Sequence, residues 1–412
     1  MGVPAVLKHR DFDLYWFGVV FSQIGTRGTV AANLYQVYEL SRSTAITGLV
    51  GLAQAVSLVV LSPLGGAYAD RLDRRRLLQA TQLLALVVAI VLTVLTETGR
   101  ATTAEVLVCV LLTTAAGTFD QPARQALIPA MVPRSELPQA FALLNPSREL
   151  AVLTGPALAG LFIAIHGPGL MYLADAATYA VLVVVLGVLR VPRLVPGKHL
   201  PVLHSIAEGG RFVARRPTIW MMMSLDLSAT LFGAYRVVLP ALTITVLHAG
   251  PTAYGLLSSA PSAGALLATG PVVHLVGRPG RTGRILLIGS AGYGLATLLL
   301  AQSRTLLLAL AAGLLVGAFD ALATTIRQAA VQLETPDPMR GRVTSIYQMA
   351  SRGGPALGDT IIGAVAAGLG PVAALSLGSL VPIAYAGLLG ARSPRLRDYT
   401  SADPADAAVT GP

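Results

Sequence analysis

The stretch of sequence that decides the fold is GGAYADRLDRRR, from Gly65 to Arg76. A mostly apolar run of roughly 20 residues, the length that crosses a bilayer, lies on each side of it. Its acidic and basic side chains cannot lie in hydrocarbon without a large cost in free energy. The stretch therefore predicts a short loop at a membrane surface, joining two helices that span the membrane.

The composition of the whole chain also indicates a membrane protein. Apolar residues make up 54% of the 412 residues and charged residues 12%, whereas soluble domains carry about 25% charged residues. The net charge is +10, but the basic residues fall in loops, which predicts contact with a lipid bilayer and no nucleic-acid partner. The sequence has one cysteine, Cys109, and neither metal-ligand spacing nor a phosphate-binding glycine loop. We therefore predict no cofactor, no metal site and no enzymatic activity.

Twelve apolar runs are long enough to span a bilayer. Basic residues concentrate in the loops on one side, and the opposite loops hold only Arg42, Arg100 and Arg304. The positive-inside rule then places both termini in the cytoplasm of a multi-pass protein of the cell membrane. The predicted spans are residues 14–38, 44–69, 76–96, 104–131, 138–165, 170–189, 218–247, 253–276, 284–302, 305–332, 342–368 and 371–391.

These spans divide the chain into four predicted regions. Residues 1–189 form an N-terminal six-helix half, and residues 218–391 form a C-terminal one. Between them lies a basic cytoplasmic linker, residues 190–217, part of which suits an amphipathic helix on the membrane surface. Residues 392–412 are small and polar, and we predict a disordered cytoplasmic tail.

The two halves repeat each other in sequence. Three short motifs recur in the same order at offsets close to 200 residues. A repeat of six helices crosses the membrane an even number of times, so both copies share one topology, as in parallel duplications of transporters. The matching pairs are residues 117–120 (GTFD) with 317–320 (GAFD), 124–126 (RQA) with 327–329 (RQA), and 155–158 (GPAL) with 354–357 (GPAL).

The loop at Gly65–Arg76 resembles the loop between helices 2 and 3 of the major facilitator superfamily. The segments 117–143 and 335–347 look like the branch that contains the enterobactin exporter and the macrolide-efflux proteins. The resemblance implies an all-α membrane protein of twelve helices in two parallel six-helix repeats. It further implies a proton-driven efflux transporter whose substrate binds between the halves. The residues that match the loop pattern are Gly66, Asp70, Arg71, Arg74 and Arg75, with Asp73 replacing the second glycine.

Two groups of residues are predicted to gate transport. By resemblance, Asp70 meets the N-terminal end of span 11, and Gly66, Arg71, Arg74 and Arg75 act with it at the cytoplasmic surface. The alternative is that these arginines simply obey the positive-inside rule. Gly155 and Pro156 resemble the span-5 signature of antiporters, although Ala151 and Ala159 stand where that signature has glycines. Ordinary helix packing is the alternative for this pair.

Ionisable residues inside spans are costly and are candidates for proton coupling. Asp120 and Arg124 lie four residues apart on span 4, so they share a face and can pair. They form either a structural pair at the cytoplasmic gate or a site where Asp120 gains and loses a proton. Asp320, the repeat mate of Asp120, has Thr324 four residues later instead of a base and is the freer carboxylate. Glu149, beside Arg148, is a further candidate.

Four residues are predicted to line the substrate cavity: Arg27 and Asn33 on span 1, and Asp226 and Arg236 on span 7. Two facing arginines suit an anionic ligand such as a siderophore, unless each pairs with an acid. Asp226 and Arg236 are ten residues apart, about 15 Å along a helix, and do not pair within it. Asp175 and Asp359 are weaker candidates, because a carboxylate near a helix start often only caps it.

The predicted function is efflux of a small amphiphilic molecule, either a siderophore or a drug or antibiotic, by a proton antiporter acting as a monomer. An importer or a lysophospholipid flippase on the same fold is the alternative, since fold does not fix function. A membrane enzyme or sensor is a third hypothesis, for which the sequence offers no catalytic constellation.

Overall fold

The computed structural model describes residues 5–71, 73–189, 202–276 and 282–400. Within these ranges the regular secondary structure is helical, with no β-strand. The long helices are numbered in chain order. They are α1 (Arg10–Ser41), α2 (Thr44–Arg71), α3 (Arg74–Glu97), α4 (Thr103–Leu127), α5 (Leu137–His166), α6 (Pro168–Val188), α7 (Pro217–Phe232), α8 (Pro251–Val276), α9 (Thr282–Gln302), α10 (Leu306–Leu333), α11 (Asp337–Leu369) and α12 (Pro371–Arg392).

Ten of the helical segments in the described residues are long and apolar enough to cross a membrane. The other two long helices, α1 and α11, have 32 and 33 residues and exceed the length of a bilayer core. They fall outside the ten because of their polar and charged residues. Large apolar side chains such as Ile165, Leu267 and Leu307 are exposed, as expected where the solvent is lipid. The predicted all-α membrane fold is confirmed.

The two copies of the repeat pack their helices in the same pattern. In the first copy α1 contacts α5 and α6, and α3 contacts α4 and α6. In the second copy α7 contacts α11 and α12, and α9 contacts α10 and α12. Each pair in the second copy is the first-copy pair shifted by six helices, so the copies share one topology.

The chain forms two compact units. The first contains residues 1–202 and 239–259, and the second contains residues 203–238 and 260–412. The segment 239–259, which ends the predicted seventh span and starts α8, therefore groups with the first six helices. One reason is that the Tyr254 hydroxyl donates to the main-chain oxygen of Ala31 at 2.9 Å. The predicted halves divided the chain only at the linker.

The seventh predicted span is not one continuous α-helix. The α-helix α7 ends at Phe232, and a 3-10 turn (Arg236–Val238), a short α-turn and a π-turn (Leu242–Val246) continue the segment. Pro240 lacks the N–H that would bond the carbonyl of residue 236, and its ring crowds that carbonyl. Arg236 therefore lies at a break in the helix, a place where backbone irregularity is tolerated inside membrane proteins when it is buried in protein.

The linker contains the predicted amphipathic helix, over Val202–Arg215. The prediction placed its apolar side on the membrane surface, but Val213 instead packs in a buried cluster with Val331 of α10 and Tyr347 of α11. Glu208 adds an ion pair with Arg342 at 2.7 Å. At Val213 the apolar side of this helix is therefore covered by α10 and α11.

The predicted disordered tail starts too early. Pro394–Arg397 forms a short helix, and Leu396 is fully buried. The main-chain N–H of Gly283 donates to the Tyr399 oxygen at 2.9 Å, which holds the segment against the start of α9. Burial of Leu396 favours order here. Residues 401–412 lie outside the described part of the chain.

Asp73, which departs from the family loop pattern, caps the N-terminus of α3. Its Oδ1 accepts from the main-chain N–H groups of Arg75 at 3.0 Å and Arg76 at 3.3 Å. These are two of the donors that a helix start leaves unsatisfied.

We expect Asp73→Ala to cost about 0.5–2 kcal/mol of unfolding free energy, because it removes the cap. Asp73→Asn keeps an oxygen acceptor and serves as the matched control. Thermal unfolding of the purified variants measures the difference. Equal midpoints for Asp73→Ala and Asp73→Asn would contradict the capping role.

Candidate functional site

A buried polar cluster joins α1, α3 and α4 in the first unit. Arg124 forms an ion pair with Asp120 one turn earlier on α4. Asp120 also accepts from Gln82 at 2.6 Å, and Arg124 donates to Ser22 at 3.3 Å. The Tyr15 hydroxyl donates to the Arg124 carbonyl oxygen at 2.9 Å. Asp120 and Arg124 are thus paired, as their spacing predicts, and held by side chains from two further helices.

The second unit contains a corresponding cluster that joins α7, α10 and α11. Arg327 of α10 pairs with Asp226 of α7 at 2.7 Å, and both side chains are almost fully buried. The other oxygen of Asp226 accepts from Ser351 of α11 at 3.0 Å. Arg327 also donates to Thr324 at 3.0 Å and lies over the ring of Tyr347. Asp226 is therefore occupied by protein partners.

The two clusters share their arginine and differ in the origin of their acid. Arg124 and Arg327 are repeat mates, and each reaches toward the helix that opens its six-helix copy. In the first copy that helix, α1, supplies only the hydroxyl of Ser22. In the second copy α7 supplies the carboxylate of Asp226. The acid has moved from the arginine's own helix to the facing one, which is why sequence spacing along α10 did not reveal the pair.

Arg236 pairs with an acid, which was the alternative to a ligand role. Its guanidinium contacts Asp359 of α11 at 2.5 Å. The Asp359 side chain is 2% exposed, whereas that of Arg236 is 38% exposed. Asp359 lies in the middle of α11, so it does not cap a helix start. The pair ties the break after α7 to α11 and leaves one side of the guanidinium uncovered.

Asp320 differs from Asp226 and Asp359, the two buried acids of the second unit. It is exposed, although it lies at the middle of α10. Its one described hydrogen bond is with the Thr324 hydroxyl at 3.4 Å, and no cation in the described residues forms an ion pair with it, although Arg327 is close enough to act on it electrostatically. Arg327, two turns further along, is engaged by Asp226. Glu149 is also exposed, on α5.

The small residues of the GPALAG motif lie at two helix crossings. A Cβ on Gly155 would meet the Cβ of Arg27 on α1 at 2.6 Å. A Cβ on Gly160 would meet the Cα of Gly255 on α8 at 2.6 Å, and Pro156 contributes its carbonyl oxygen to the same crossing. The motif therefore brings backbones of α5, α1 and α8 into direct contact, which larger residues would prevent.

The predicted gating loop is described only in part. Gly66, Asp70 and Arg71 belong to α2, but the structure does not describe the side chains of Asp70 and Arg71; Arg74 begins α3. Arg75 donates to the carbonyl oxygens of Leu186 and Gly187, each at 2.5 Å. These carbonyls end α6, where a cation is favourable. Arg75 thus fastens the start of α3 to the end of α6.

The two candidate residues of α1 lie in different surroundings. Arg27 faces α5, with its Cβ against Gly155. Asn33 is 4% exposed, and its side-chain oxygen has no hydrogen-bond partner in the described structure. A buried amide oxygen without a partner is uncommon in proteins and marks a position where a polar group can be added at little cost.

The chain matches one protein-family model over almost its whole length. The family model described as transmembrane secretion effector matches residues 2–409. The chain belongs to this family of the major facilitator superfamily. This family is one of transporters and not of enzymes, and the ten long apolar helices in the described residues are those of a multi-pass membrane protein.

The curated relatives of this chain include several enterobactin exporters. It is 30% identical to the one from Citrobacter koseri over 256 residues, which cover 61% of this chain and 60% of the relative. It is 29% identical to the one from Salmonella typhimurium strain LT2, with the same coverage. The one from Escherichia coli O1:K1 is 28% identical over 254 residues, again 61% and 60%. The matched region thus spans about 60% of each relative.

Solved structures of other transporters share the fold. A mutant of the peptide transporter POT superposes with a TM-score of 0.76 at 13% identity, covering 94% of both chains. A mutant of the nucleoside transporter NupG gives 0.75 at 14% identity, covering 92% of this chain and 99% of that one. A bacterial homologue of the lysosomal transporter Spinster gives 0.67 at 14% identity, covering 94% and 95%. At these identities the likeness concerns the fold alone.

Three ionisable residues have a larger place in the structure than the sequence indicated. Arg327 and Asp359 each complete a buried ion pair, and Asp175 is fully buried on α6. All three are ionisable residues well inside predicted spans, which is itself the signal for a functional site. Asp175 lies eight residues into α6 and does not cap its start.

Proposed function

We propose that this protein exports a small amphiphilic molecule in exchange for protons, by alternating access. The relatives support efflux, because those matched over three-fifths of the chain are named enterobactin exporters. By this similarity a siderophore is the first candidate substrate, and a drug or antibiotic is the second.

Proton coupling is supported by which acids of the membrane helices are paired with an arginine and which are not. Asp120, Asp226 and Asp359 each pair with an arginine. Protonating any of them breaks an ion pair, whereas Asp320 is exposed and pairs with no described cation. An acid in that setting can bind and release a proton without disrupting the packing. We assign proton coupling first to Asp320, and after it to Asp120 and Glu149.

The proposed substrate contacts are Arg27, Asn33 and Arg236. Arg236 keeps an exposed side despite its pair with Asp359, and a guanidinium carries five donors in a fixed fork. An anionic siderophore group can bind such a fork without displacing the acid. Asp226 was also a candidate, but it is buried against Arg327 and is not offered to a ligand in this conformation.

We propose that two groups of residues gate transport. At one surface, Arg75 fastens α3 to α6, and we propose that Gly66, Asp70, Arg71 and Arg74 complete this gate. Within the first unit, the second group fixes how α1, α4, α5 and α8 pack against one another. Its members are Arg124, Gly155 and Pro156.

We expect Asp320→Asn to separate exchange from coupling. Counterflow of labelled substrate between the two sides of a vesicle needs no net proton transfer, so it survives. Uptake driven by an imposed pH gradient falls to the level of vesicles without the protein, because the neutral amide cannot carry a proton. Both are measured in proteoliposomes with a panel of catecholate siderophores, macrolides, cationic dyes and lysophospholipids.

The matched control is Asp337→Asn, which changes an acid whose side chain is 83% exposed in a surface pair with Arg340. It should leave both readings unchanged. Gradient-driven uptake by Asp320→Asn at the wild-type rate would remove Asp320 from the mechanism. Transport of lysophospholipid alone would favour the flippase alternative.

A further inference from the structure

One buried carboxyl group has no place in the mechanism described so far. Asp175 of α6 is fully buried, and its Oδ2 has no hydrogen-bond partner. It faces α1 at Gly25, where an added Cβ would overlap its Oδ1. The glycine thus lets the two helices meet at the carboxyl group.

Three hydroxyl groups, those of Thr29, Thr178 and Tyr179, surround the carboxyl group of Asp175. Thr26 donates to the Ser22 carbonyl oxygen at 2.8 Å, and its hydroxyl lies 2.9 Å from that of Tyr179, which also contacts the Asp175 carboxyl group. The Thr178 hydroxyl donates to the main-chain oxygen of Asp175 at 2.7 Å and lies 3.3 Å from its Oδ1. A hydroxyl has one proton to donate. These neutral hydroxyls can supply hydrogen bonds to the carboxyl oxygens, but no positive charge.

The remaining neighbour is Thr29 of α1. Its hydroxyl lies beside Asp175 and is itself buried without a hydrogen-bond partner. Two buried polar atoms without partners, next to each other, are uncommon in native proteins. One shared proton satisfies both atoms, either from the Thr29 hydroxyl to an ionised carboxylate or from a protonated Oδ2 to the Thr29 oxygen, so the charge of the surroundings decides between the two.

The charge of the surroundings favours a neutral, protonated Asp175. The Asp120–Arg124 pair lies beyond Tyr179, and Arg27, two residues from Gly25 on α1, packs its Cβ against Gly155 of α5. The helix α3 contributes the apolar Ala85 and Ala89 next to Tyr179. No cation in the described residues pairs with Asp175. A buried carboxylate whose neighbours are neutral hydroxyls costs several kcal/mol, so the group takes up a proton instead.

We propose that Asp175 is a second proton-binding site, filled in the conformation described here, and that it releases its proton only when α1 moves away from α6. Asp175 is fully buried while α1 and α6 touch at Gly25, so solvent does not reach the carboxyl group to take up its proton. Release then ties a change in protonation to a change in helix packing. This second step rests on the proposed proton-coupled export, whereas occupancy of the site does not.

Infrared spectroscopy of the purified protein in lipid tests occupancy without any transport. We expect a protonated-carboxyl band in the wild type at neutral pH, its loss in Asp175→Asn, and its retention in Asp337→Asn. Thr29→Val, which removes the acceptor, should shift the band. An unchanged band in Asp175→Asn would overturn the proposal. Loss of the wild-type band on adding sodium, with recovery in choline, would overturn it in favour of a sodium site.

Transport by Asp175→Asn tests release. The amide resembles the neutral acid in shape and cannot lose a proton, so it holds α1 against α6. We expect correctly folded protein that loses counterflow as well as gradient-driven uptake, unlike Asp320→Asn. Wild-type counterflow in Asp175→Asn would overturn the release step. If the wild type itself moves no protons, the proposed function fails, and the infrared result still decides occupancy of the site.

Discussion

Replacing Arg327 by Met is expected to be among the most damaging single changes in this protein. The substitution leaves Asp226 buried with only the Ser351 hydroxyl as a partner. Removing one member of a buried ion pair costs about 3–5 kcal/mol, because the remaining charge is uncompensated. The loss should appear as a large fall in the thermal midpoint and in the yield of monodisperse protein.

The double variant Asp226→Asn with Arg327→Met removes both charges and should recover much of that loss, since two neutral side chains leave no buried ion. Arg340→Gln is the control, because Arg340 belongs to an exposed pair with Asp337 that is worth about 0–1 kcal/mol. If the double variant is no more stable than Arg327→Met alone, the pair is not coupled as described.

Enlarging Gly160 is expected to have the second large effect. Its Cα and that of Gly255 are in direct contact, and an added Cβ would lie 2.6 Å from backbone atoms of α8. Backbone cannot rotate away, so Gly160→Ala should cost about 1–3 kcal/mol through overpacking. Gly160→Leu should cost more and reduce counterflow, because α5 and α8 can no longer approach.

Gly368→Ala in α11 is the matched control, since nothing lies within 4 Å of a Cβ built there. It should be neutral or slightly stabilising, because alanine is the better helix former. Thermal unfolding and counterflow are measured on all three variants. Wild-type values for Gly160→Leu would show that the crossing of α5 and α8 is looser than the structure has it.

The fold could be predicted from the sequence because its signals are local. A spanning helix requires a long apolar run, and a charged loop between two runs requires a membrane surface. The repeat was visible because three motifs kept their order and spacing. The Asp120–Arg124 pair was also predictable, since residues four apart on a helix share a face.

Contacts between helices could not be predicted in the same way. Arg236 and Asp359 are separated by 123 positions, and no periodicity within one helix reports such a pair. Arg327 has no acid four residues before it and finds Asp226 on a facing helix.

Two other features left signals that the sequence analysis did not use. Asp73 immediately precedes a helix, which is typical of a cap, and it was interpreted only as a departure from a family pattern. Leu396 and Tyr399 interrupt the polar tail, and the structure docks that segment against α9. In both cases a single residue, the acidic Asp73 or the apolar Leu396, determined the local structure although the neighbouring residues favoured another.

Proton release from energised everted membrane vesicles tests the central claim of proton-coupled export most directly. The vesicles contain the protein, and the panel of siderophores, macrolides, cationic dyes and lysophospholipids is added one compound at a time. We expect one class to dissipate the pH gradient in wild-type and Asp337→Asn vesicles and to leave it intact in Asp320→Asn vesicles. A gradient unaffected by every compound that the purified protein exchanges in counterflow would contradict proton coupling.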